Sequence, residues 1–402
     1  MDELFFDSLF KGSRNSLVEK RIIRYYISNG SSTIPELSEE LDLSIPTVTK
    51  IISEMCDLGF INDYGKLETS EGRHPNLYGL DPKSSYFIGV DIKQFVINIC
   101  LINLRGDVMK IETDVPFLVE NTAESLNKLC ELILHFINRL DIDKKKILNI
   151  NINISGRVNS DSGYSFSFFN FDERPLTEIL IDKLGYNVTI DNDTRAMTYG
   201  EYVAGCVKGE KNIIFINISW GLGLGIIING KVYKGKSGFS GELGHFIMFD
   251  NEIICHCGKK GCLETEASGS ALYRILKERI KNGESSILSE RILKDKSSIT
   301  LDEIVEAVNN EDLLCIEVVE EIAQKLGRVI AGLINIFNPE MVIIGGTLSL
   351  TGDYILQPIK TAVRKYSLNL VNKDSVITLS KLKDKAGVIG ASMLARSRIF
   401  ED

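Results

Sequence analysis

The sequence predicts an α/β body built by duplication behind a small helical module. Three observations carry this. A β-meander followed by helix and strand occurs over 87–154, and a related pattern begins again at 212. Residues 15–60 instead hold three short helices with explicit start and stop signals. Three of the eight cysteines crowd into Cys255, Cys257 and Cys262, a metal knot rather than a dispersed disulfide framework.

Bulk properties set the limits. A chain of 402 residues that is 44% hydrophobic supports two or three domains with real cores. No apolar run reaches about 18 residues without a charge, so no membrane span is expected. The start, Met1-Asp2-Glu3, lacks the basic lead of a signal peptide, and the clustered cysteines suit a reducing cytoplasm. A net charge of −9 argues against a broad nucleic-acid-coating surface. It leaves room for one local DNA-reading module.

The first helix is expected over 17–28, with Leu17, Ile22, Ile23, Tyr26 and Ile27 on its apolar side. Asn29-Gly30 ends it. Thr33-Ile34-Pro35-Glu36 is a capping box with proline in the first turn, and it starts a second helix running to Asp42. Ser44-Ile45-Pro46-Thr47 starts a third, over 46–58, with Val48, Ile51, Ile52 and Met55 inward. Short helix, tight turn and second helix form the helix-turn-helix layout. Ser44, Thr47, Thr49 and Lys50 then face the major groove. Residues 60–68 read as a β-hairpin wing, placing Lys66 and Arg73 at DNA as well. The module carries eight basic against thirteen acidic residues, so each copy gains little from phosphate neutralisation. A dimer or tetramer is therefore expected. A helical packing module without DNA contact is the other reading.

In the body, strands are expected over 87–91, 96–103 and 107–114, a helix over 122–140 and a strand over 147–154. The second set covers 212–218, 225–229 and 231–233, with a later strand at 341–344 and a core helix over 316–337. Asp191-Asn192-Asp193 ends a strand and opens a helix, a usual place for a chemical carboxylate. The expected domains are 1–80, then 81–202 completed by 385–402, then 203–384.

Cys255, Cys257, Cys262 and His245 supply four ligands for a closed tetrahedral zinc site. His256 is the rival fourth ligand; between two ligating cysteines its side chain is expected to point away. Glu242 and Glu264 lie just outside, where a metal would hold them fixed. Buried or redox-active thiols are the alternative.

Glu242-Leu243-Gly244-His245 and Cys255-His256-Cys257-Gly258-Lys259-Lys260-Gly261-Cys262-Leu263-Glu264 resemble the paired signatures of the ROK family of repressors, open reading frames and sugar kinases. The resemblance covers about 86–396. It implies the duplicated ribonuclease-H-like fold of actin and sugar kinases, with a structural zinc and a sugar between two lobes. It implies sugar contacts at Glu242, His245 and Glu264, with His245 serving metal and sugar through its two ring nitrogens. Asn192 and Asp193 match the family's Asn-Asp, whose Asp is the general base in the kinases. Asn170 and Gly156 are weaker matches to sugar-contact positions. The family's repressors carry a winged helix ending in a Gly-Arg-x-Pro signature, matched by Gly72-Arg73-His74-Pro75.

One departure matters. The family's kinases bind phosphate with Asp-x-Gly-Gly-Thr on the first hairpin; this chain has Asp91-Ile92-Lys93-Gln94-Phe95. Bulky side chains block close backbone approach to phosphate. Gly221, Gly223 and Gly225 remain in the second loop, behind Trp220, and Gly345-Gly346-Thr347 remains on the adenosine side. These glycines read as turns that the fold requires. ATP and magnesium are therefore not expected. The sequence reads as a sugar-responsive regulator, a repressor by preference, binding operator DNA and a sugar or sugar phosphate. The alternative is an ATP-dependent sugar kinase retaining a DNA-binding domain, with Asp193 catalytic.

Overall fold

Capping chemistry fixes the first elements. The computed structural model describes residues 14–66, 75–294 and 299–400. Helix α1 (Arg14–Asn29) leads through strand β1 (Ser32–Thr33) into α2 (Ile34–Leu41). The capping box is formed: Thr33 N donates to Glu36 Oε2 at 2.7 Å, and Glu36 N donates to Thr33 Oγ1 at 3.4 Å. Ser44 caps α3 (Ile45–Asp57), accepting from Thr47 N. Ile22, Ile23, Leu37, Val48, Ile52, Met55 and Phe60 are buried as the module's core. Leu17 is not; it stands half exposed, one 100° step off the face on which Ser16, Glu19, Ile22, Ile23 and Tyr26 are buried.

Strand β2 (Ile61–Lys66) pairs with β3 (Asn76–Leu80), Ile61 opposite Leu80, in the order β1-β3-β2. The wing's return strand therefore lies at 76–80, beyond the expected 60–68. Arg73 falls in the interval between these strands, outside the described residues.

The first body sheet contains β4 (Tyr86–Ile92), β5 (Val96–Asn103), β6 (Val108–Pro116), β7 (Ile147–Ile154) and β8 (Val188–Asn192), in the order β8-β7-β4-β5-β6. Helices α4 (Ala123–Asn138) and α5 (Leu176–Leu184) belong to this unit. Strand β7 reads Ile-Leu-Asn-Ile-Asn-Ile-Asn-Ile, an alternation that ordinarily puts the polar face in water. Here Asn149, Asn151 and Asn153 are completely buried. They form a ladder. Asn149 Nδ2 donates to Thr189 Oγ1 and to Ala395 O, Thr189 Oγ1 to Asn151 Oδ1, Asn151 Nδ2 to Asn153 Oδ1, and Asn153 Nδ2 to Asp91 Oδ1 at 3.2 Å.

The second sheet follows the same plan. After α6 (Asp193–Ala204) come β9 (Ile213–Ile218), β10 (Leu222–Ile228) and β11 (Lys231–Val232), an antiparallel meander. Then follow α7 (Gly269–Lys281), α8 (Leu301–Asn309), α9 (Leu313–Phe337), β12 (Met341–Gly345), α10 (Asp353–Tyr366), β13 (Val376–Leu379) and α11 (Ala386–Phe400). The order is β11-β10-β9-β12-β13, with β9, β12 and β13 parallel. In both sheets the first strand is central, its meander lies on one side and the later strands on the other. That shared connectivity is the duplicated ribonuclease-H-like fold.

The chain forms two compact units: residues up to 154, 162–191 and 391 onward in one; 155–161 and 192–390 in the other. The boundary thus precedes α6, where a division near 202 was expected, and it passes inside α11. Helix α6 joins the second unit because it lies directly against β10, as the glycines of that strand explain.

Candidate functional site

Strand β10 organises the site. Gly223 and Gly225 are strand residues, and a side chain at either would collide with Thr194 or Thr198 of α6. They serve close helix–strand packing, which corrects the expectation that the loop glycines are turns; only Gly221 sits in the turn. Gly241, at φ +92°, lets the following loop cross the strand, with Leu224 N donating to Gly241 O at 3.2 Å.

The packing of α6 places its N-terminus. Asn192 is the N-cap: its Oδ1 accepts from Arg195 N at 3.0 Å, and its Nδ2 donates to Gly156 O at 2.9 Å. Asp193 follows as the first helical residue. Its Oδ2 accepts from Ser155 Oγ at 2.7 Å and its Oδ1 from Thr194 N at 2.7 Å. Gly156, Asn192 and Asp193 are thus brought together, with Ser155 as a partner that the sequence reading missed. Arg195, also missed, is buried and donates to Val158 O and Gly238 O.

Burial pushes the Asp193 carboxyl above the usual carboxylate range, against hydrogen bonds from Ser155 and Thr194 that favour the anion. The sign follows. An acid whose folded pKa lies above its unfolded value near 3.9 weakens the fold once pH rises past that value. Asp193→Asn should therefore leave the melting temperature at pH 7 unchanged or raise it by about 2–4 °C. The same variant should lower sugar affinity at least about tenfold. Calorimetric unfolding and titration check both; a destabilised variant with intact sugar affinity would contradict the assignment.

The metal-ligand set converges. The side-chain donors of His245, Cys255, Cys257 and Cys262 lie within 4.8 Å of one another. Cys257 Sγ is 3.6 Å from Cys262 Sγ, and Cys255 Sγ is 3.5 Å from His245 Nδ1. A tetrahedron with bonds of about 2.3 Å has edges of just under 4 Å, so the donor set fits zinc. His245 turns its other nitrogen away, Nε2 lying 3.7 Å from Glu242 Oε2. Glu264 is held at both oxygens: Leu222 N donates to Oε2 at 3.1 Å, and His256 Nδ1 lies 2.8 Å from Oε1. The expectation that His256 points away is therefore corrected. It turns onto Glu264, and it forms a second donor set with His245 and Glu264. A sequence shows that His256 sits between two ligands, not which rotamer the curl of the loop leaves open.

Asn170 belongs to the other compact unit. It lies in the first unit, exposed, with Oδ1 accepting from Asn121 Nδ2 at 2.6 Å and Nδ2 donating to Phe166 O. Asp91 is buried and tied to Asn153. In the hairpin after it, Lys93 N is spent on Val96 O, and Phe95 stands 57% exposed where a phosphate loop needs bare backbone.

The candidate DNA face is open. Ser44, Thr47, Thr49 and Lys50 are exposed on α3, and Lys66 is exposed on β2. Ser44 Oγ and Thr47 Oγ1 are 2.8 Å apart within the cap, and Thr49 Oγ1 donates to Ile45 O. Ile45 is half exposed on the same face, an apolar group suited to a thymine methyl that the sequence reading did not single out.

The family model for ROK matches residues 87–398. The chain belongs to the ROK family. A winged helix-turn-helix DNA-binding model matches residues 17–62. The xylose repressor of Caldicellulosiruptor bescii is 31% identical over 372 residues, 92% of each chain. A ROK transcriptional regulator described as a homologue of the E. coli MLC protein superposes with a TM-score of 0.81 at 26% identity, covering 96% of both chains. A ROK glucokinase from Streptomyces griseus, solved with glucose and AMPPNP, gives 0.68 at 29% identity; it covers 78% of this chain and all of its own. The ROK regulator thus matches nearly the whole chain, whereas the glucokinase leaves about a fifth of it unmatched. Among the described residues no helix is long and apolar enough to cross a membrane.

Proposed function

We propose that this ROK protein is a sugar-responsive transcriptional repressor that acts on operator DNA in the cytoplasm. One observation carries the reading: the ROK body, with its cluster of hydroxyl-accepting residues, continues from a winged helix whose recognition face is exposed. The effector is a sugar or sugar phosphate held by Glu242, His245, Glu264, Asn192 and Asp193. Ionised carboxylates suit a polyol because each oxygen accepts several O–H bonds. Zinc, held by His245 Nδ1 and the thiolates of Cys255, Cys257 and Cys262, fixes the loop that carries Glu242 and Glu264. Its role there is structural, and no reaction runs through it.

Switching requires the sugar to bind one conformation of the protein better than another; equal affinity would move nothing. The sparse basic charge of the module favours two copies on paired half-sites. The test is fluorescence anisotropy of the zinc-loaded protein on DNA from the promoter region of its own gene, with and without sugars. Lys50→Ala should weaken DNA binding by about tenfold and reduce the salt slope by about one. Unchanged affinity in Lys50→Ala and Thr47→Ala together would remove the DNA assignment.

Retention of Asp193 favours a second reading, an ATP-dependent sugar kinase. Phosphate release from ATP that requires sugar and disappears in Asp193→Asn would establish it. The Lys93-Gln94-Phe95 hairpin and Trp220 argue against that result.

A further inference from the structure

We propose that Trp220 and Tyr273 form an aromatic shelf for a second pyranose ring, so that the effector is a glycoside or short oligosaccharide. The inference rests on the reading of Glu264 and its neighbours as hydroxyl-binding residues. Trp220 is the chain's only tryptophan. It stands 45% exposed on the turn between β9 and β10, outside the buried core. Large exposed aromatic surface is costly to hydrate and is most useful where a ligand covers it.

The shelf has a second member. The Trp220 ring lies 6.0 Å from that of Tyr273 on α7, tilted by 42°. Lys277, one turn further along α7, stands 5.6 Å from the Tyr273 centroid. The turn that carries Trp220 is pinned rather than loose. Ser219 N donates to Gly221 O at 3.1 Å, while Gly269 N and Ser270 N donate to Ser219 O and Trp220 O at 2.8 and 3.0 Å. A rigid aromatic side chain on a fixed turn loses little entropy when a ligand arrives.

The same turn adjoins the carboxylate cluster. Leu222 N donates to Glu264 Oε2, and a Cβ on Gly221 would stand 2.9 Å from that oxygen. Along the turn, one residue therefore separates Trp220 from the backbone amide that holds Glu264. A glycan presents C–H faces on its rings and hydroxyls at their rims. A nucleobase would also stack, but its phosphates would need donors. The first amides of α7 are already used: Gly269 and Ser270 on the turn, and Ala271 on Ser268 Oγ at 3.2 Å. The chemistry favours an uncharged sugar ring over a nucleotide.

The test uses the full-length, zinc-loaded protein and its single tryptophan. Emission is followed while monosaccharides are titrated beside their β-1,4-linked disaccharides: glucose with cellobiose, xylose with xylobiose, N-acetylglucosamine with chitobiose. One disaccharide should bind at least about tenfold tighter than its monosaccharide, with a blue shift as the indole is covered. Tenfold is the change expected from covering roughly 60 Å² of ring face at about 25 cal/mol per Å². Trp220→Ala, read by calorimetry, should lower disaccharide affinity to the monosaccharide value and leave the latter unchanged. Trp220→Phe should restore most of the preference. Equal affinity for the two sizes, or a preference that survives Trp220→Ala, overturns the shelf while leaving the effector site in place. Competition by ATP for the same emission change overturns it in favour of a nucleobase. No binding by any sugar overturns the effector-site reading and the shelf with it.

Discussion

Cys262→Ser should empty the metal centre and abolish sugar binding while operator binding survives. Leu243 and Leu263 anchor the two ends of the loop from Gly241 to Glu264 in the main core, but the stretch between them is poorly covered. Phe246, Ile247, Met248 and Ile254 are all exposed, and its pairing is reduced to isolated bridges, Ile247 with Cys262 and Ile254 with Lys260. With the stretch between these anchors so exposed, metal ligation by His245, Cys255, Cys257 and Cys262 would be what closes it, as in small domains that fold only with zinc. Cys262 itself is completely buried. A serine oxygen is a harder, poorer zinc ligand than a thiolate and leaves a polar group where no water reaches. Metal analysis should fall from one zinc per chain to less than about a tenth. Unfolding stability should drop by at least about 3 kcal/mol. Glu264, two residues away, loses its placement, so sugar should no longer release DNA. Full zinc occupancy in Cys262→Ser, or a sugar response that survives prolonged chelation, would refute this account.

The second large effect concerns Gly390. A methyl group there would sit well inside the contact radius of Ala196 O, a backbone atom of α6 that cannot swing aside. The matching position on α6 is also tight, though less so: a Cβ on Gly200 would stand 2.7 Å from Ala386 O. Helices α6 and α11 therefore meet backbone to backbone. Gly390→Ala should cost about 3 kcal/mol or more, because the helices must separate and vacate a close-packed contact. Helix propensity alone would make the change favourable by nearly 1 kcal/mol, so the sign of the effect discriminates. The shift would propagate along α6 to Asn192 and Asp193. Chemical denaturation and sugar titration of Gly390→Ala should show both losses; a stabilised variant with normal sugar affinity would show that the contact is looser than described.

Where local chemistry decides, the sequence could be read almost to the residue. The Thr33 capping box, the Ser44 cap and the strands at 96–103 and 147–154 fall where expected, since each depends on neighbours in sequence. The convergence of His245, Cys255, Cys257 and Cys262 was legible because thiols and glycines cluster there. What escaped depends on tertiary approach. Gly223 and Gly225 look like turn residues until α6 is seen lying on them. The alternating asparagines of β7 look like a wet face until their side-chain amides are found donating to Thr189, Ala395, Asn153 and Asp91. The partner of β2 could not be placed because residues 67–74 intervene without a periodic signal.

The path of α11 has a consequence for synthesis on the ribosome. Its first residues pack in the second unit, while the stretch from 391 onward completes the first, where Ala395 O caps the Asn149 ladder and Arg398 pairs with Asp191 at 3.0 Å. The winged helix needs only its own contiguous residues and can fold as soon as it emerges. The first lobe must wait until residues 391–400 have been made, because Asn149 and Asp191 find their partners Ala395 and Arg398 only then. A chain cut short before residue 391 would thus pair a folded DNA reader with a lobe that cannot close, and should be handed to the cell's proteases rather than left on an operator.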